Sequence, residues 1–96
     1  MNVRFLRGVH DELIEAMDWY SAQKPGLGDR FVREFWSTVS QIGDTPTAYS
    51  KVSRTARKCN LKHFEYGIIY RVREQTIVVA AVMHLKRRPG YWKHRR

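Results

Sequence analysis

Two neighbouring stretches decide the fold: Gly67–Arg73, GIIYRVR, and Thr76–His84, TIVVAAVMH. Both are rich in β-branched residues, which suit a pleated, half-buried surface. Only Glu74-Gln75 separates them, so they read as a tight antiparallel hairpin, although the pair lacks the Asn-Gly chemistry that two-residue turns favour. A turn symmetric about Glu74-Gln75 places Ile68, Tyr70 and Val72 on one face with Ile77, Val79, Ala81 and Met83. That face is apolar and should carry helices. The opposite face holds Glu65, Ile69, Arg71, Arg73, Val78, Ala80, Val82 and His84, with Glu65 directly across from His84 and no cover implied. A bulge would break this register, because a slip of one residue flips every side chain beyond it.

Upstream of the hairpin the period is helical. Val9, Leu13, Ala16, Met17 and Tyr20 form one apolar stripe of a helix near residues 9–23. Asp11 and Glu12 lie in its first turn, where the helix dipole favours anions. Lys24-Pro25-Gly26-Leu27-Gly28 stops it. A second helix fits 29–42, with Phe31, Phe35, Val39 and Ile42 on its main stripe, widened by Val32 and Trp36, and Gly43 as its stop. The two make an antiparallel helical hairpin. Val3 and Phe5 suggest a short first strand. Lys51–Arg54 suggests an edge strand, and Cys59 and Leu61, alternating with Lys58, Asn60 and Lys62, a further short one. Leu85 to Arg96 is a basic turn region around Pro89-Gly90.

Ninety-six residues fit a single domain, 1–96, and 43% apolar content suffices for a core. Single Cys59 excludes an internal disulfide framework. No run approaches the roughly 18 apolar residues of a membrane span, and charge precedes any signal-like apolar region, so a cytoplasmic protein without membrane contact is expected. Net charge is +9, unevenly spread. Residues 1–48 hold five Lys/Arg and seven Asp/Glu, a net of −2; residues 49–96 hold thirteen and two, a net of +11. Such a one-sided field attracts polyanions.

The basic half also collects reactive groups. His84, Arg87, Arg88, Tyr91, Trp92, Lys93, His94, Arg95 and Arg96 fall together without an acid among them. RNA cleavage needs a group to take the 2′-proton, one to protonate the leaving oxygen, and cations for the phosphorane charge. His84, Arg87 and Tyr91 suit those parts. A plainer reading holds His84 at a strand end by Glu65 and makes Tyr91-Trp92 a lid over the sheet. Nothing in the spacing of His10, His63 and His94 suggests a metal site, and neither metal nor organic cofactor is implied.

Longer motifs then add to this. Trp19-Tyr20 near the helix end, Pro25-Gly26-Leu27-Gly28 with Phe31, FEYGIIYRV over 64–72 and AVMHLKRRPGYW over 81–92 together resemble the RelE/ParE superfamily, toxins of bacterial type II toxin–antitoxin systems. The resemblance runs from about Phe5 to Trp92. It implies an α+β fold: a short N-terminal strand and a two-helix antiparallel hairpin packed on a curved antiparallel sheet of three to four strands. It implies a cognate antitoxin as partner, whose toxin-binding segment the +11 half predicts to be acidic or to cover the basic sheet face. RelE-like members cut mRNA on the ribosome; ParE-like members inhibit DNA gyrase without a known hydrolytic centre. The first reading assigns catalysis to His84, Arg87 and Tyr91, and nucleic-acid contacts to Arg54, Lys58, Arg71, Arg73, Arg88 and Trp92. Asn60 and Gly67 depart from the ribonuclease pattern, which has a lysine and an arginine there, and favour the gyrase alternative. A basic nucleic-acid-binding module without toxicity is the third reading.

Overall fold

The computed structural model describes residues 1–95. Arg96, the last residue of the basic tail, lies outside them. Chain order is β1 (Asn2–Phe5), α1 (Val9–Gln23), α2 (Leu27–Asp44), β2 (Ser50–Lys51), β3 (Arg57–Asn60), β4 (Tyr66–Arg73) and β5 (Thr76–His84). The strands form one sheet in the order β1-β5-β4-β3-β2. It is α+β as expected, with five strands rather than three to four. The sheet is mixed, because β1 runs parallel to β5, with Asn2 beside Thr76 and Phe5 beside Val79.

Both helices lie where the apolar period predicts, but α2 runs through Gly43, the expected stop, and ends at Asp44. Phe31, Phe35, Val39 and Ile42 of α2 are buried against Ile68, Tyr70, Ile77 and Val79 of the sheet. Trp36 leaves the expected stripe: it is 50% exposed and meets Phe5 edge-on, with centroids 5.5 Å apart. The helices approach closely at Gly28. A Cβ there would stand 2.5 Å from the Met17 carbonyl oxygen and closer still to Ser21 Oγ, so only glycine fits the crossing.

The hairpin holds the main departure. Near the turn the symmetric register is observed, with Arg73 opposite Thr76 and Tyr70 opposite Val79. Then Ile69 pairs with Ala81, which leaves Ala80 as an extra residue in β5. Ala80 and Ala81 therefore face the same side, a crowding that two methyl groups tolerate. Past this bulge the faces of β5 exchange. Val82 packs on the helix side, whereas Ala81 and Met83 go to the opposite side, the reverse of the expected assignment. His84 moves with Val82 to the helix side, and its cross-strand partner is Tyr66, not Glu65. The opposite face is not bare either. Leu6, Ala56, Ile69, Val78 and Met83 form a second core there, closed by Trp92 from the tail.

Candidate functional site

The site grows out of an unpaired strand edge. β1 ends beside Val79, whose carbonyl accepts the Leu6 N–H. Beyond that point β5 has no strand neighbour on this side among the described residues, and its backbone groups need other partners. Glu12 supplies one: its Oε1 accepts the Val82 N–H at 3.0 Å. Arg95 supplies another, since its Nη1 donates to the Ala80 carbonyl at 3.1 Å and to Glu12 Oε1 at 2.8 Å. The Tyr91 hydroxyl donates to Glu12 Oε2, and Arg87 Nη1 stands 3.9 Å from the same oxygen. Glu12 is only 9% exposed, so a buried carboxylate collects two hydrogen-bond donors on one oxygen and a hydroxyl with a nearby guanidinium on the other.

The aromatic ring of Tyr91 is the plate of this assembly. The Arg87 guanidinium carbon lies 3.7 Å from its centroid and that of Arg95 5.1 Å. Burial holds the Tyr91 hydroxyl well above the usual tyrosine range, and its bond to Glu12 pushes the same way. It is thus a committed donor at neutral pH, with its proton aimed at an internal carboxylate.

His84 stands apart from that bond network. Its Nδ1 accepts the Lys86 N–H at 3.1 Å. Nε2 is 3.7 Å from Glu65 Oε2, close although the bulge removed the two residues from direct opposition. The ring packs edge-on against Tyr66 at 5.1 Å. His84 and Arg87 line one cleft of about 590 Å³ between α1 and the ends of β4 and β5. Of the three residues assigned to catalysis, two thus share a cleft, while the third turns its hydroxyl onto Glu12.

The residues assigned to nucleic acid are spread out. Lys58 is cross-strand from Ile69, so Lys58, Arg71 and Arg73 share the face opposite the helices. Arg71 sits 5.5 Å from the Trp92 ring, and burial lowers its basicity, with Arg73 adding to the effect. Arg54 is at the far edge of the sheet near Lys51 and Arg57. Arg73 and Arg88 are exposed. Trp92 is 3% exposed, so its ring is core and offers no stacking face. Sequence reasoning missed Glu12. Its only trace was a carboxylate between Val9 and Ala16, inside an otherwise apolar stripe.

Comparison with known proteins agrees with this fold. The family model described as the ParE toxin of the type II toxin–antitoxin system parDE matches residues 3–89. Toxin ParE2 from two strains of Mycobacterium tuberculosis is 31% identical over 89 residues, covering 92% of this chain and 85% of the relative. A solved structure titled Chromosomal ParDE TA system from P. aeruginosa superposes with a TM-score of 0.63, over 88% of this chain and 95% of that one, at 13% identity. That last likeness speaks for the fold. The family match over 3–89 and the identity over 89 residues carry the conclusion that the chain belongs to the ParE toxin family of type II toxin–antitoxin systems.

Proposed function

We propose that this toxin arrests growth by binding DNA gyrase, without hydrolytic chemistry of its own. Membership of a toxin–antitoxin family carries a cognate antitoxin as its partner. The observation that supports the gyrase reading is the Glu12 assembly. A ribonuclease of the RelE kind needs free groups to move protons and free cations for the developing phosphorane charge. Here the Tyr91 hydroxyl and the Arg95 guanidinium are bonded to one buried carboxylate, and Arg87 lies over the Tyr91 ring beside it. Those bonds hold the tail on the sheet, which is what a binding surface needs. The ParE family match favours the same reading. Cleavage of ribosome-bound mRNA keeps one observation in its favour, the shared cleft of His84 and Arg87.

Induction of the toxin in cells tests this. The expected result is gyrase trapped covalently on broken DNA while mRNA on ribosomes stays full length. Truncated ribosome-bound mRNA with intact DNA overturns it.

A further inference from the structure

We propose that the cleft between α1 and the ends of β4 and β5 is a receptor for a cationic side chain, an arginine of the antitoxin. The proposal rests on the antitoxin that family membership brings, and not on the gyrase reading.

Charge gives the first reason. The chain carries +9, yet among the described residues Glu12, Glu15 and Glu65 line this cleft against one guanidinium, that of Arg87. Glu12 is bonded to Arg95 at 2.8 Å and stands 3.9 Å from Arg87, so its charge is offset within the fold. His84 accepts the Lys86 N–H at Nδ1 and lies 3.7 Å from Glu65 through Nε2. The exposed carboxylates of Glu15 and Glu65 face the opening. Among the described residues Glu15 has no ion-pair partner.

The walls give the second reason. Trp19, Tyr20 and Tyr66 line the same cleft, and Trp19 is 58% exposed, unusual for so large an apolar ring. Trp19 and Tyr20 meet at 5.1 Å nearly at right angles, and Tyr20 and Tyr66 at 6.1 Å. Burial raises the Tyr20 and Tyr66 hydroxyls above the ordinary tyrosine value; at Tyr20 a bond with the Glu65 backbone opposes the rise more than the Glu65 charge adds to it, and at Tyr66 the neighbouring Tyr20 and then Glu15 add to it. Aromatic faces with carboxylates at their rim suit a guanidinium, which stacks through its plane and donates at its edge. A volume of about 590 Å³ admits the side chain with some of its backbone.

Specificity gives the third. A partner complementary to a +11 half is acidic, and acidic residues alone can slide over a broadly basic surface. One cation that fits one acidic cleft fixes the register.

The test is NMR titration of the isotope-labelled full chain with N-acetyl-arginine amide, and with the citrulline analogue as its neutral isostere. The arginine compound should shift the Trp19 indole resonance saturably, and citrulline should bind at least tenfold more weakly. Glu15→Gln with Glu65→Gln, both at exposed positions, should weaken arginine binding at least tenfold while the remaining spectrum stays that of the folded toxin. In the toxin–antitoxin complex the same titration should leave Trp19 unmoved, because the cleft is filled. Equal binding of citrulline, or undiminished binding by the folded double variant, overturns the receptor. Arginine binding that persists in the complex overturns the antitoxin as its occupant.

Discussion

The Tyr91 hydroxyl donates to the carboxylate of Glu12, 79 residues earlier in the chain, and so fastens the C-terminal tail to the first turn of α1. The same carboxylate accepts the Val82 N–H of β5, which makes Glu12 the substitute for a strand that ends too early. Removing it should therefore act on stability before anything else. Glu12→Ala leaves the Val82 N–H and the Tyr91 hydroxyl without their acceptor and Arg95 with the Ala80 carbonyl alone, and should cost about 3–5 kcal/mol. Glu12→Gln retains one acceptor and should cost less. Urea unfolding measures both.

Alkaline pH should weaken the fold through the tyrosines. Burial raises Tyr70 to about 12, and Tyr91 is raised as well, from an ordinary value of 10.0. The folded state therefore keeps these protons where the unfolded chain has lost them. Their contribution is fully present below pH 10 and declines as pH rises through the folded values. Thermal melts should fall above pH 10, less steeply in Tyr91→Phe. A variant melting curve with the same alkaline slope as wild type would remove Tyr91 from this account.

The hairpin turn should be improvable. Glu74 and Gln75 both adopt left-handed backbone, φ 49° and 66°, the geometry that Asn-Gly fills without strain. Replacing the pair by Asn-Gly should stabilise the protein by about 1 kcal/mol, since non-glycine residues disfavour this region by roughly that much. Chemical denaturation reads the gain.

Much of the fold was legible because its signals are local. The β-branched runs of β4 and β5 and the stripes of α1 and α2 each repeat a period within a few residues. The bulge was not legible: Val78-Val79-Ala80-Ala81-Val82 suits a strand in either register, and the choice depends on where β1 ends and what Glu12 bonds. That one extra residue decides which side of the sheet His84 occupies. Glu12 hid for a similar reason, because a carboxylate in the first turn is already explained by the helix dipole. Trp92 read equally well as a stacking platform or as a lid, and only the apolar face exposed between Ile69 and Met83 selects the lid.

Trp92 makes that choice measurable. Trp92→Ala should cost about 3–5 kcal/mol, as for other large buried aromatics. A stacking residue on a free surface would instead lose nucleic-acid affinity with stability unchanged. Denaturation midpoints and oligonucleotide binding of the same preparation separate the two.

The central claim is that Tyr91 holds the tail and performs no chemistry. It is tested most directly with purified wild-type and Tyr91→Phe toxin, each given to gyrase with supercoiled plasmid and to ribosomes carrying mRNA. The account predicts that both proteins trap gyrase on cleaved plasmid, that Tyr91→Phe is weaker by no more than about tenfold, the scale of one ordinary contact, and that neither cuts mRNA. Cleavage of ribosome-bound mRNA by wild type, reduced by about 10²–10⁴ in Tyr91→Phe as for loss of a general acid or base, would contradict it.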